Sequence, residues 1–350
     1  MVSPQTERRH CKNLSSESCS IWYGAWHPDP IGPSPVTTTH DIFGEAGGAE
    51  RATPGSYGLA PSGYRLPEAT RLGPVRLQIS DLGRSVAYYE GRLGLRLLER
   101  DGTSAQLGAE GGRPLVELHE RPGATPVPRS GRTGLYHFAI LLPDRASLGR
   151  FLRYIGTTDE RVGMSDHLVS QSLYLHDPDN LGIEIYADRP RESWRRIGRE
   201  LMMATDPLDV DGLIRDAGDA PWTGMPNGTI MGHVHLRVGD LTSGSAFYSG
   251  ALGFDRMVWQ YPGALFLAAG GYHHHLGTNT WAGTDAVPPG GEEAQLKEWT
   301  IELPDTEAIE AAGESLTREG HPAEREGQGS LVTRDPWGTQ VRLRTARARG

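Results

Sequence analysis

The chain has only two cysteines in 350 residues, at positions 11 and 19, so no disulfide framework can staple a core. No apolar run approaches the roughly 18 residues that a bilayer span requires, and the amino terminus lacks the apolar segment of a secretory signal. These absences predict a soluble, cytoplasmic protein with no membrane partner. Basic residues are in the minority. With 35 Lys and Arg against 44 Asp and Glu the net charge is -9, and the one basic cluster is the terminal RLRTARARG, which excludes the phosphate backbone of a nucleic acid as partner. Clustered aliphatics are missing from residues 1–68, where HPDPIGPSP, GEAGGAE and PGSYGLAPSG supply turn formers instead. That segment is expected to be a disordered leader, because it has little apolar surface to offset the entropy of ordering.

What the chain does contain is a repeat in four copies. Residues 74–94, PVRLQISDLGRSVAYYEGRLG, match residues 233–253, HVHLRVGDLTSGSAFYSGALG, and HFAILLPDRASLGRFLRYIG from 137 matches EWTIELPDTEAIEAAGESLT from 298. In each copy a short alternating strand ends at an aspartate (Asp81, Asp144, Asp240, Asp305) placed to cap the helix that follows. Apolar residues then recur at helical spacing, as in Leu82, Val86, Tyr89 and Leu93, or Leu148, Phe151, Leu152 and Ile155. Short strand candidates broken by Gly, Asp and Asn turns follow each helix. The expected fold class is α+β, built from four βαβββ units: leader 1–68, first pair of units 69–190, linker 191–229, second pair 230–345.

Chemistry concentrates between His137 and Pro190. His137 lies in one apolar strand and Glu184 in another, IEIY, where a lone carboxylate is costly to bury without a partner or a metal. Between them stand His167 and Tyr174, two groups able to hold or move protons. Each has a plainer reading: a strand histidine can be a satisfied core residue, and a strand tyrosine can be core with its hydroxyl at the rim. The HHH run at 273–275 looks like a metal tag, yet strand alternation puts His273 and His275 on one face and His274 on the other.

Together, GLYHFAILLPDR, DHLVSQSLYLHDP, GIEIYADRP, GHVHLRVGDL and AGGYHHHLGTNTW resemble the vicinal oxygen chelate superfamily, the glyoxalase, bleomycin-resistance and extradiol dioxygenase group, and within it tandem catechol 2,3-dioxygenase-like proteins. The resemblance spans about residues 70–345. It implies that the units pair into two cup-shaped mixed sheets, with one ligand position on the first strand of each unit and one on the last. The first-strand positions are Pro74, His137, His233 and Glu298; the last-strand positions are Glu117, Glu184, His275 and Arg342. Proline and arginine cannot ligate. Pairing the second unit with the third gathers His137, Glu184, His233 and His275 in one cup and leaves Pro74, Glu117, Glu298 and Arg342 in the other, so this pairing is preferred to first with second and third with fourth.

Two imidazoles and a carboxylate match the donor set of non-haem iron(II) enzymes, which leaves open positions for reactants; Mn(II) accepts the same donors. The resemblance therefore implies an Fe(II)-dependent extradiol dioxygenase that cleaves catechol or a related vicinal diol with O2, in aromatic hydrocarbon catabolism. Its implied metal ligands are His137, Glu184 and His233, with His167 moving a substrate proton and Tyr174 bonding to a bound oxygen. His235, His273 and His275 are further pocket residues, and His235 replaces His233 as ligand if the register slips. The order His167, Tyr174, Asp177-Pro178, Glu184 approximates the extradiol signature, departing from it at Ser165 and at Asn180, where asparagine tolerates a left-handed turn. Two rivals share the scaffold. A glyoxalase-like isomerase, lyase or thiol transferase does not need His167 and Tyr174, and a metal-free protein that sequesters a small molecule does not need the triad. Homo-oligomerisation is compatible with each reading.

Overall fold

The computed structural model describes residues 37–44, 48–327 and 329–346. Within them the four repeats each form a strand, a helix and three further strands. The aspartates cap as the sequence predicts: the side chains of Asp81, Asp144, Asp240 and Asp305 accept the backbone N–H of Arg84, Ser147, Ser243 and Ala308 at 2.8, 2.6, 2.7 and 2.8 Å. The helical stripes are core, with Leu82, Val86, Tyr89 and Leu93 buried in the first unit and Leu148, Phe151, Leu152 and Ile155 in the second. Burying one such side chain fully is worth about 1.5–3 kcal/mol.

Two eight-stranded mixed sheets result, and each draws on both halves of the chain. The first joins the second and third units, in the order Asp255–Val258, Ala264–Ala268, Leu276–Asn279, Ile230–Arg237, Gly134–Leu141, Gly182–Asp188, Ser170–His176, Gly163–Asp166. The other joins the fourth and first units through the antiparallel pair Gln295–Leu303 and Arg71–Ile79. Units therefore pair two with three and one with four, as the ligand chemistry of the sequence favoured. At the centre of the first sheet Phe138 lies opposite Val234 and His137 opposite His235, while the last strand of unit two runs parallel alongside, with Glu184 opposite Ala139.

Among the bonds that join the sheets, one recurs in both halves. The Tyr89 hydroxyl donates to Asp177 at 3.1 Å, and its counterpart Tyr248 donates to Asp335 at 2.7 Å. In each case the carboxylate also accepts two backbone N–H groups of its own turn, those of Asp179 and Leu181 or of Trp337 and Thr339. The Asp177 turn ends at Asn180, whose φ of 63° is the left-handed conformation expected of that asparagine, and leads into the strand bearing Glu184.

Gly182 opens that strand. A Cβ there would lie 2.1 Å from the Tyr136 carbonyl oxygen and 3.1 Å from the His137 Cβ. Gly182→Ala must therefore push apart the two strands that carry His137 and Glu184, and is expected to cost about 1–3 kcal/mol or more, by overpacking. A thermal melt checks this; an unchanged midpoint would mean that the strands do not approach so closely.

The expected disordered leader is corrected over residues 37–44 and 48–68, while residues 1–36, with Cys11 and Cys19, and residues 45–47 lie outside the described residues. Thr39 donates its backbone N–H and its hydroxyl to Asp206, at 2.8 and 2.5 Å. Glu50–Arg51 pairs with Arg195–Ile197, Leu66 N–H donates to Gly253 O, and Arg65 forks onto Asp255. These ties are mostly backbone bonds and single charged pairs, which offset ordering entropy without leaving an apolar period in the sequence. The linker is likewise built in: Trp194, Leu201, Met203 and Ala204 are buried, and the helix Val210–Asp216 packs in the same stretch.

Candidate metal centre

Three strands of the first sheet bring His137, Glu184 and His233 together. All three side chains are buried, and their candidate ligand atoms lie within 4.8 Å of one another. Each histidine Nε2 is 2.9 Å from Glu184 Oε2, with a well-directed hydrogen bond from His233 only. Both nitrogens of His137 and Nδ1 of His233 are buried without a hydrogen-bond partner among the described residues. A buried orphan of this kind costs about 1–3 kcal/mol, so several beside one carboxylate fit a donor set shaped for a cation. Burial pushes both imidazoles below their ordinary value, which keeps their lone pairs available. Burial also opposes charge on Glu184, but His233 and His137 beside it hold its carboxyl well below the usual carboxylate range.

His167 and Tyr174 face the same cavity. His167 Nδ1 is 2.7 Å from the Ala204 carbonyl, which can only accept, so Nδ1 carries the proton. The Tyr174 hydroxyl, 2.6 Å from Nε2, is then the donor. Burial, followed by the charge of Glu184, pushes the Tyr174 phenol well above its ordinary value and keeps it an O–H. The turn that aims His167 inward runs through Leu168, whose φ of 69° is rare for a branched side chain, with its N–H held by Asp166 at 3.0 Å.

The cavity is partly open and has an aromatic wall of Tyr136, Tyr261, Phe266 and Trp281, and among the described residues neither Lys nor Arg lines it. Met203, Ala204 and Thr205 of the linker close another side; nothing in their composition distinguished them in the sequence. His235 lines the cavity as expected, accepting from Asn279 Nδ2 at 3.0 Å, and lies outside the metal-donor group. His273 and His275 are corrected: neither lines the cavity, and His274 does. The physical reason is that the strand begins only at Leu276, so alternation does not govern the run before it. His275 Nδ1 instead accepts the N–H of Ala269 at 3.2 Å. Burial pushes the imidazoles of His235 and His274 well below their ordinary value.

In the other sheet the corresponding positions hold an ion-pair network. Arg342 forks onto Glu298 at 2.7 and 2.9 Å, and Arg76 bridges Glu117 at 3.1 Å and Glu298 at 3.5 Å. Guanidinium groups thus balance the carboxylates of this sheet.

Sheet order and donor set together define a class. The model of the Glyoxalase/Bleomycin resistance protein/Dioxygenase superfamily matches residues 71–185 and 230–343, and the chain belongs to that family. Among individual proteins, it is similar to the catechol-2,3-dioxygenase of Bacillus subtilis (strain 168), with 44% identity over 275 residues that cover 77% of this chain and 95% of that relative. A solved structure of a proposed dioxygenase from Bacillus subtilis subsp. subtilis shares the fold, with a TM-score of 0.57 over 81% of this chain and 87% of that one at 14% identity.

Proposed function

We propose that the protein is an extradiol-type dioxygenase that uses Fe(II), held by His137, Glu184 and His233, to cleave the ring of catechol or a related vicinal diol with O2. The observation that carries this reading is the meeting, in one aromatic-walled cavity, of two neutral imidazoles and a carboxylate with a second, proton-handling pair. The 44% identical relative named catechol-2,3-dioxygenase supports it. Mn(II) accepts the same donors, and metal analysis after expression in either ion separates the two.

When bound, the metal supplies adjacent open positions for both reactants and a path for electrons from ring to O2. The side chains do the rest. Tyr136 and Trp281, packed edge to face with centroids 5.4 Å apart, form one wall against which the ring would lie with water excluded. His167, fixed by Ala204, presents Nε2 to a diol hydroxyl once Tyr174 turns its O–H toward the substrate, and takes that proton. One ring C–C bond beside the diol breaks, and both oxygen atoms enter the product. An isomerase would have no use for this second pair, and a sequestering protein no use for the triad.

The test is to load anaerobically purified protein with Fe(II), add catechol and oxygen, and follow O2 uptake together with the yellow ring-opened product. One O2 per product is expected; no uptake by the loaded protein would sink the reading. Selectivity follows from the cavity wall. A ring carboxylate would point away from the diol that meets the metal, toward a wall on which, among the described residues, no Lys or Arg stands, and would be buried unpaired at a cost of several kcal/mol. Catechol and methylcatechols are therefore expected to exceed 3,4-dihydroxybenzoate in kcat/KM by roughly 100-fold or more, each 1.4 kcal/mol being tenfold. Equal values would mean that a cation reaches the wall and pairs with the carboxylate.

A further inference from the structure

The HHH run is the one motif that the proposed reaction leaves unused, and it is embedded in a chain of hydrogen bonds. Asp188 Oδ1 receives the Tyr272 hydroxyl at 3.0 Å and His273 Nε2 at 2.9 Å. Tyr186 and Tyr272 share a bond between their hydroxyls at 2.7 Å, and His273 Nδ1 lies 2.7 Å from His274 Nδ1. Two imidazole nitrogens at that distance require one donor and one acceptor, and which is which decides what His274 offers the cavity it lines.

The polarity is set from the far end. An ionised carboxylate only accepts, so His273 Nε2 carries its proton. In the neutral ring Nδ1 of His273 is then the acceptor, and His274 Nδ1 must be the donor. The neutral His274 ring is left with its lone pair on Nε2. Tyr186 to Tyr272 to Asp188 runs in the same sense, because the Tyr272 proton is committed to the carboxylate. Asp188 is thus the sink toward which four side chains point their protons. It stands about one-third exposed at the end of the strand that carries Glu184, while His273 and His274 are buried. His274 is not one of the three metal donors, although its ring centroid lies 4.0 Å from that of His233.

We infer that Asp188 and His273 are positioning residues that hold His274 in its Nδ1–H tautomer, so that its Nε2 lone pair faces the cavity as the hydrogen-bond acceptor for a hydroxyl of the bound diol. The identity of that ligand rests on the proposed function; the tautomer does not. The same device, a carboxylate choosing an imidazole tautomer, fixes the base in hydrolytic triads.

The tautomer is read without metal or turnover. In full-length protein labelled with 15N-histidine, long-range proton–nitrogen correlation should show His274 protonated at Nδ1 and His273 at Nε2, the signals being assigned by their loss in His274→Asn and His273→Gln. Asp188→Asn can turn an N–H toward His273, and is expected to move His274 to the Nε2–H form or to a mixture. His273→Leu should do the same. His273→Gln should preserve the wild-type form, since its amide can donate to Asp188 and accept from His274. Wild-type His274 protonated at Nε2, or a pattern unchanged by both Asp188→Asn and His273→Leu, overturns the inference. The consequence for binding is read with a nitrocatechol added anaerobically to Fe(II)-loaded protein. Asp188→Asn and His273→Leu should weaken its Kd roughly tenfold, the worth of one hydrogen bond in a buried site, at unchanged iron content, while His273→Gln restores it. Wild-type affinity in Asp188→Asn despite an altered tautomer overturns the acceptor role. Failure of the wild-type protein itself to bind any catechol removes the diol and the proposed function together, with the tautomer result still standing.

Discussion

Glu184→Ala is expected to empty the metal centre. The variant should take up less than a tenth of the iron that the wild type retains after desalting, with ring cleavage falling by more than the roughly 10–100-fold that accompanies loss of an outer hydrogen bond to a metal ligand. Glu184 is the one anionic donor of the set, and without it two neutral imidazoles face a divalent ion alone. The metal-free fold should not suffer in proportion. Removing a buried carboxylate removes its desolvation cost but also leaves His233 Nε2 without its acceptor, so the thermal midpoint of the metal-free variant should fall by only a few degrees from that of metal-free wild type, on the order of 1–3 kcal/mol. Glu298→Gln is the control: its carboxylate is already committed to Arg342 and Arg76 in the other sheet, and iron content should not change. Elemental analysis decides, and a Glu184→Ala protein that keeps stoichiometric iron would place the metal elsewhere.

His167→Phe should do the opposite, leaving one equivalent of iron in place and lowering kcat by about 100- to 10,000-fold, the usual contribution of a positioned acid–base group. The loss should fall on kcat rather than on KM, because the phenyl ring fills similar space in the cavity wall while the Nε2 lone pair, together with the Nδ1–H bond to Ala204, disappears. Tyr174→Phe should be milder. It removes the donor that His167 Nε2 now accepts from, but leaves the imidazole anchored through Nδ1 to Ala204. If His167→Phe turned over at the wild-type rate, the proton would have to travel by another group, and His274 would be the next to test.

Much of this architecture was legible because it is written locally. Strand, capping aspartate and helical stripe occur within some twenty residues of each repeat, and side-chain periodicity reports them directly. Even the long-range pairing of the units was readable, because Pro74 and Arg342 are chemically unable to ligate and leave one arrangement that gathers the donors. Three things were not. Residues 48–68 dock through backbone bonds such as Leu66 N–H to Gly253 O, which no side-chain pattern records. The cavity wall from Met203 to Thr205 is set by where the linker crosses the sheet. The HHH run follows a turn at Gly270 and Gly271, both with left-handed φ, and precedes a strand that begins only at Leu276, so strand alternation does not report its facing.

The pairing of outer with outer and inner with inner units has a consequence for how the molecule is made. Emerging from the ribosome, the strand Arg71–Ile79 appears first of its sheet, yet its antiparallel partner, Gln295–Leu303, is among the last segments translated. At ordinary elongation rates the wait is on the order of ten to forty seconds. The sheet holding the candidate metal donors begins later and is complete earlier, once Leu276–Asn279 has been extruded. During that interval the nascent chain carries a closed inner cup and a half-built outer one whose free strand edge can pair with a neighbouring copy as readily as with its own unborn fourth unit. Crowded polysomes should therefore favour exchanged dimers joined through the outer sheet, each still holding an intact centre of its own.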